Sequence, residues 1–366
     1  MKKPIQIAQC LSRLSISVLR MGMIALAVSL SALASFSQDA HFSQYYASSL
    51  YLNPSMAGVE PNQSFSSNFR QQWKSIIIPY VTSQVSFIQP IHSKATGKDV
   101  HLGGVGLSLY NDRAGDGNFK TIGVNVNAAY NLYLNSSQSQ CLIFGLQGGM
   151  VQKRIDYTNL TWGEQFNPYI GGGYDFSLTV NPDDIGVNMG KVYADVGAGL
   201  IYYFNSKKQY KNMPISGFVG YSGFHLNRPN ESFYDDYVAK LSILHKAHAG
   251  MEVHVSEKVN ISPNVLVMTQ FGRMHYNTGI YLTYRMIEQK NTLKPTDLIL
   301  GGWYRLKDSF IASVGISNNN YTLGFSYDIN NSNLRYETRG RGAYEISFSI
   351  RKMKESKYRR FNTPRI

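Results

Sequence analysis

The sequence predicts an all-β fold, an antiparallel transmembrane β-barrel of about fourteen strands. Three observations predict it. The N-terminus has the pattern of an export signal, most of the remaining chain alternates between apolar and polar residues, and the long connections fall on one side of the predicted sheet. The expected location is the cell outer membrane.

The N-terminal segment has the pattern of a cleaved signal peptide. Residues 1–20 carry four basic residues and no acid, and residues 21–34 form an apolar run too short to span a bilayer comfortably. Small residues follow, so cleavage is predicted after Ser37, with Ala34 as the second choice. We therefore assign residues 1–37 to the signal peptide; the alternative is an N-terminal membrane anchor.

The composition limits which kind of membrane protein this chain can be. Beyond the signal no apolar run is long enough for a transmembrane helix, yet the chain holds 26 Tyr, 18 Phe and 32 Gly. Cys10 leaves with the signal and Cys141 stays alone, which excludes a disulfide framework. More than half of the excess of basic over acidic residues beyond the signal lies in the basic tail, residues 352–366, which indicates a local partner rather than nucleic acid.

The segment "NYTLGFSYDI" shows the alternation clearly. Tyr321, Leu323, Phe325 and Tyr327 fall on one face, and Thr322, Gly324, Ser326 and Asp328 fall on the other. A soluble β-sandwich also alternates. Aromatic residues at the ends of the apolar rows and small or charged residues opposite them favour a membrane barrel with aromatic girdles and a polar lumen.

The alternation places fourteen strands in residues 38–351. The predicted strands cover about 65–73, 81–89, 102–110, 119–134, 140–151, 192–204, 214–223, 243–255, 259–269, 274–285, 297–305, 309–317, 321–329 and 343–351. Residues 38–64 are predicted to be an N-terminal periplasmic segment, and 352–366 a basic periplasmic tail. An even count leaves both ends of the barrel on the same side.

Connection lengths support this topology. The long connections 152–191, 224–242 and 330–342 follow the fifth, seventh and thirteenth predicted strands, so all three lie on the outer side. Connections 90–101 and 286–296, on the other side, are longer than the barrel pattern favours.

One segment could carry chemistry. In "KAHAGMEVH", Lys246, His248, Glu252 and His254 share one strand face, which would suit a metal or an acid–base pair. The simpler interpretation is polar lining of the lumen. No other spacing indicates catalysis, so the sequence predicts no enzyme, no cofactor and no metal.

Several motifs together resemble one family. The segment "QDAHFSQYYASSLYLNPSMAG" at 38–58, Arg70 to Trp73 in an Arg-x-Gln-Trp strand, "GYSGFHLNRPNESF" at 220–233 and "RGAYEISFS" at 341–349 are similar to the PorP/SprF family of type IX secretion system membrane proteins. The segment "YADVGAGLIYYF" at 193–204 adds to the resemblance. Ser55 departs from the alanine usual in the family.

The resemblance implies a non-enzymatic outer-membrane subunit of the secretion and gliding machinery. Its implied partners are periplasmic ring and peptidoglycan-linked components, secreted cargo such as adhesins, and outer-membrane lipid. The family motifs, which are candidates for periplasmic docking, contain His41, Phe42, Gln44, Tyr45, Asn53, Pro54, Gly58, Arg70, Trp73, His225, Pro229 and Phe233. A second candidate partner site is the basic tail, with Lys352, Lys354, Lys357, Arg359 and Arg360.

Residues 38–58 are too aromatic for a solvated tail. We expect Phe42, Tyr45 and Tyr46 to fold into the barrel mouth on the periplasmic side, and Asn53-Pro54 to make the turn that starts the first strand. The segment could stabilise the barrel as a plug, dock a partner, or do both. With many polar residues pointing inward the lumen should be largely filled, although a porin or small-solute transporter is the alternative function.

Overall fold

The structure is a computed structural model, which describes residues 39–75, 78–93, 100–115, 117–156, 160–169, 173–178, 190–205, 215–287, 295–333 and 335–352. Strands dominate it. They are β1 (Gln63–Gln72), β2 (Tyr80–Ser93), β3 (Val100–Ala114), β4 (Phe119–Tyr133), β5 (Gln140–Arg154), β6 (Phe166–Asn167), β7 (Gly173–Tyr174), β8 (Gly190–Asn205), β9 (Ile215–Phe224), β10 (Leu244–His254), β11 (Val259–Gln270), β12 (Arg273–Ile287), β13 (Thr296–Arg305), β14 (Ser309–Asn318), β15 (Tyr321–Asn330) and β16 (Arg341–Lys352).

All strands except β6 and β7 close into one antiparallel barrel, which confirms the predicted fold class. The first and last strands, β1 and β16, pair with each other over a register that runs from Gln63↔Lys352 to Gln72↔Ala343. Gln63 and Lys352 thus mark one end of the barrel, called here the terminal end. The opposite end is called the loop end. Closure pairs the backbone groups that an open sheet edge would expose to lipid.

The two faces of each strand are divided as the alternation predicts. In β15 the side chains of Tyr321, Leu323 and Phe325 are exposed on the outer surface, whereas Ser326 and Asp328 are buried inside. The same inside-polar arrangement recurs around the barrel. It places apolar surface against lipid and polar groups in the lumen.

The long connections also lie where they were expected. Residues 155–189, 225–243 and 331–340 follow β5, β9 and β15 at the loop end. The connections predicted to be long at the terminal end are shorter than expected, 94–99 and 288–295, because the flanking strands extend further. Within the described residues, no helix has both the length and the apolar character needed to cross a membrane.

The N-terminal residues 40–62, called here the plug, occupy the lumen. They form a one-turn α-helix, Ser49–Leu52, and a 3₁₀-helix, Pro54–Gly58. The Asn53 side chain accepts a hydrogen bond from the Ser55 backbone N–H at 2.9 Å, and Pro54 needs no donor at the first helical position.

Two expectations about this segment are corrected. Asn53-Pro54 begins a 3₁₀-helix, and the first strand starts only at Gln63. The segment also goes deeper than the barrel mouth, because it runs through the lumen from the loop-end half, where Ser43 bonds to Glu345, to the terminal end, where Gly58 bonds to Asn131. Its side chains and carbonyls replace water as partners for the polar lumen wall.

Candidate functional site

The aromatic residues of the plug are buried between the barrel walls. Phe42 and Tyr45 are only 3% and 4% exposed, as expected of a plug; exposed side chains at these positions would have excluded that interpretation. The Tyr45 ring lies edge-on to Trp303 of β13, with ring centroids 5.4 Å apart. The Tyr46 hydroxyl donates to Asn264 Oδ1 of β11 at 3.0 Å. The segment is therefore part of the core.

One carboxylate joins the plug to the first and the last strand of the sheet. Glu345 of β16 accepts the backbone N–H of Ser43 at 2.7 Å and that of Gln44 at 2.9 Å. It also accepts from Asn68 Nδ2 at 2.7 Å and from Arg70 Nη1 at 3.2 Å, both on β1. Glu345 is fully buried, so these four donors replace its hydration shell.

Ser43 is the centre of an adjoining charge network. Its hydroxyl accepts from Arg70 Nη1 at 2.6 Å and from Arg305 Nη2 at 2.8 Å, and it donates to Asp328 at 2.8 Å. Arg70 reaches Asp328 at 2.9 Å, and Arg305 reaches it at 3.3 Å. Arg305 also pairs with the partly exposed Asp308 at 2.9 Å. Two buried cations thus face two buried anions, and a single unpaired charge among them would be costly. The name clasp is used below for Ser43, Gln44, Asn68, Arg70, Arg305, Asp328 and Glu345.

The segment of β10 that could have held a metal or an acid–base pair contacts the plug. Lys246 Nζ donates to the Tyr51 carbonyl at 2.6 Å and lies 4.1 Å from the centre of the Tyr51 ring. His248 Nε2 lies 3.1 Å from Asn53 Nδ2. Glu252 and His254 are 3.7 Å apart, close to the terminal end. Among the described residues, no group of three potential ligands is placed to hold a metal ion.

Glycines on the lumen wall make room for the 3₁₀-helix. A Cβ at Gly145 would lie 2.2 Å from the Ser55 nitrogen, and a Cβ at Gly104 would lie 2.1 Å from the Ala57 carbonyl oxygen. Both distances are prohibitive, so these positions require glycine for close approach of the plug backbone. Gly58, within the plug, accepts from Asn131 Nδ2 at 2.9 Å.

His225 positions a second inward-folded element. It has a positive φ of 58°, and its Nδ1 lies 2.8 Å from Asp195 of β8. The loop that follows, residues 225–243, returns on itself through a hydrogen bond from the Leu241 N–H to the Pro229 carbonyl at 2.9 Å. Leu241 is buried in a small apolar cluster near the loop end. The loop therefore folds back onto the barrel wall.

The remaining predicted residues lie elsewhere. Phe233 packs edge-on against Phe119, with ring centroids 6.1 Å apart. Trp73 lies at the loop end, where its N–H donates to the Gly342 carbonyl at 2.7 Å and its ring contacts Tyr80. Neither residue touches the clasp. Lys352 is exposed at the end of β16.

Parts of the sequence-based assignment fall outside the described residues. These are the signal peptide and four residues of the basic tail, Lys354, Lys357, Arg359 and Arg360. The assignment of periplasmic docking to the motif residues and the tail stays a prediction.

Sequence reasoning missed five members of the clasp as site residues, namely Ser43, Asn68, Arg305, Asp328 and Glu345. The alternation along the strands already placed Asp328 and Glu345 on the polar face. A charged residue on a face that points into the lumen was the signal that could have identified them as site residues. Which of the lumen charges pair with one another depends on how the barrel closes.

The plug contains titratable groups with displaced pKa values. Burial, followed by the nearby cations Arg305 and Arg70, holds the pKa of His41 well below its usual range. Its ring centroid lies 5.8 Å from that of His275. Burial raises the pKa of the Tyr45 and Tyr46 hydroxyls, so both stay neutral. The plug thus carries no charge of its own from these groups near neutral pH.

A closed barrel with an apolar outer band and a polar lumen filled by its own N-terminal segment defines an integral β-barrel protein of the outer membrane. The family model described as "Type IX secretion system membrane protein PorP/SprF" matches residues 34–350, and the chain belongs to this family. A comparison with curated proteins gives no match.

Two solved structures with similar folds are distant from this chain in sequence. The toluene transporter TbuX of Ralstonia pickettii is 11% identical, with a TM-score of 0.44 over 84% of this chain and 94% of that one. A Pseudomonas aeruginosa FadL homologue is 10% identical, with a TM-score of 0.41 over 83% and 94% of the two chains. At these values the likeness carries no functional argument.

Proposed function

We propose that this chain is a non-enzymatic subunit of the type IX secretion and gliding machinery that docks or anchors secreted cargo and links the outer membrane to periplasmic components. Family membership supports the choice of machinery. The observation that carries the docking role is the filled lumen. A barrel whose interior is occupied by its own buried segment has its loops and ends left for binding.

The filled lumen weighs against the alternative function, a porin or small-solute transporter. Plug residues contact strands around the barrel, from Glu345 on β16 through Asn264 on β11 and Tyr221 on β9 to Asn131 on β4. A diffusion porin keeps an aqueous channel along its axis. In planar bilayers we therefore expect no large steady conductance, and a large open pore would favour the transporter function.

The loop end offers the surface for cargo. Tyr169 is 94% exposed and Phe176 is 72% exposed in the connection after β5, and Tyr237 is 64% exposed in the connection after β9. Exposed aromatic rings on a rigid scaffold are the residue types enriched at protein interfaces. We assign cargo contact to this side and periplasmic contact to the terminal end with the basic tail.

Affinity purification tests the proposal. Tagged protein is recovered from detergent-solubilised outer membrane and its partners are identified by mass spectrometry, beside an unrelated tagged barrel of similar size. We expect periplasmic components of the secretion system and a large secreted cargo protein to be enriched. Recovery of lipid and general barrel-assembly factors alone, with conductance in bilayers, would overturn it.

A further inference from the structure

We propose that the plug acts as a latch that closes the barrel. During folding it binds β16 and holds it against β1, through Gln44 and the other residues of the clasp. The pairing of β1 with β16 is called here the seam. It joins the first and the last strand of the sheet, so these strands meet only after nearly the whole chain is in place. Every other neighbouring pair is consecutive among the barrel strands and is joined by a connection. Pairing of distant segments is the slow part of forming a β-fold.

The plug lies next to β1 in sequence but bonds to the far end of the chain. The Gln44 amide donates to Ser326 Oγ of β15 at 3.1 Å and to the Glu345 carbonyl at 3.1 Å. Its oxygen accepts from Ser347 Oγ of β16 at 2.6 Å. One buried side chain thereby contacts both C-terminal strands.

The same region of the plug is tied to β1. Asn68 Nδ2 donates to Ser48 Oγ at 3.0 Å as well as to Glu345, and Arg70 donates to Ser43 Oγ. Asn68 and Arg70 stand directly opposite Ser347 and Glu345 in the register of the seam. The plug therefore offers β16 a prepared set of partners at the place where β1 must receive it.

Refolding kinetics test the latch. Gln44→Ala removes three hydrogen bonds to β15 and β16 and leaves every charge of the clasp in place. The matched control, Tyr46→Phe with Ser222→Ala, removes plug bonds to Asn264 and from Ser222 to the Leu52 carbonyl, on the far side of the barrel. Urea-unfolded chains are diluted into lipid vesicles, and the folded band is followed on unheated gels. We expect Gln44→Ala to fold at least tenfold more slowly, and the control less than threefold.

A seam disulfide separates a latch from a general core contact. Ser66 and Ser349 face each other across the seam, so Ser66→Cys with Ser349→Cys is oxidised in the folded protein, with Cys10 and Cys141 replaced by serine. In this linked chain β1 and β16 stay together when unfolded, and Gln44→Ala should fold at the rate of the linked parent.

Three results would overturn the latch: equal slowing by Gln44→Ala and the control, slowing that persists in the linked chain, or failure of Gln44→Ala to fold in both linked and unlinked forms. Ser347→Ala, which removes one bond only, gives the milder variant and should slow folding in the unlinked chain alone.

Discussion

Arg70 is the residue whose removal most directly tests the charge balance of the clasp. Arg70→Leu deletes the guanidinium that contacts Asp328 at 2.9 Å and Glu345 at 3.2 Å. Asp328 keeps Arg305 at 3.3 Å, but Glu345 loses its cation while it stays fully buried. Breaking a buried pair by removing one partner costs about 3–5 kcal/mol, because it leaves an uncompensated charge.

A second substitution should restore much of that loss. Glu345→Gln removes the negative charge but keeps a carbonyl oxygen for the plug N–H groups. In Arg70→Leu with Glu345→Gln, the buried Asp328 keeps its pair with Arg305, which also contacts the partly exposed Asp308. We expect the double variant to be more stable than Arg70→Leu by about 2 kcal/mol, which is the part of the cost due to the unpaired charge.

The measurement is the free energy of unfolding in urea, with the protein in lipid vesicles. Tryptophan fluorescence is suited to it because Trp303 is buried beside Tyr45 of the plug. Arg273→Leu is the control, since Arg273 is exposed, and it should change stability by less than about 0.5 kcal/mol. If the double variant lost the sum of the two single losses, the charge-balance reasoning would be refuted.

Four further predictions address the plug, the loops and the tail. Leu50→Ala, at a plug side chain with no exposure, should destabilise the barrel by about 2–5 kcal/mol in the same urea assay, whereas Leu146→Ala on the outer surface should cost much less. Because burial and neighbouring cations lower the folded-state pKa of His41, its contribution to stability is present above about pH 6.5 and is lost as the pH falls below that value. His41→Gln should therefore flatten the pH dependence of unfolding between pH 6.5 and 5, and an unchanged slope would exclude this role. Deleting residues 160–175 should leave the folded band on unheated gels but reduce cargo at the cell surface; loss of the band would assign the loop a folding role. Neutralising Lys352, Lys354, Lys357, Arg359 and Arg360 of the tail together should reduce co-purification of periplasmic partners without affecting barrel assembly, because individual surface charges are weak and salt-screened. Unaltered co-purification at low and moderate salt would contradict it.

Period-two alternation and the lengths of the connections determined the barrel. Lipid outside and polar groups inside impose a repeat on every strand, so β15 could be read from "NYTLGFSYDI" without knowledge of its neighbours. The even strand count and the long connections after β5, β9 and β15 followed from the same local signals. The motif resemblance likewise identified the family that the match over residues 34–350 shows.

The position of the plug and the partners in the clasp were decided only by the tertiary structure. Residues 40–62 have no period of their own, and neither their depth in the lumen nor their direction is encoded in a local pattern. Ser43 meets Glu345 across 302 positions of sequence. Such a contact requires the two ends of the chain to meet, and the closed barrel fixes which lumen charges face one another and which glycines leave room for the plug backbone.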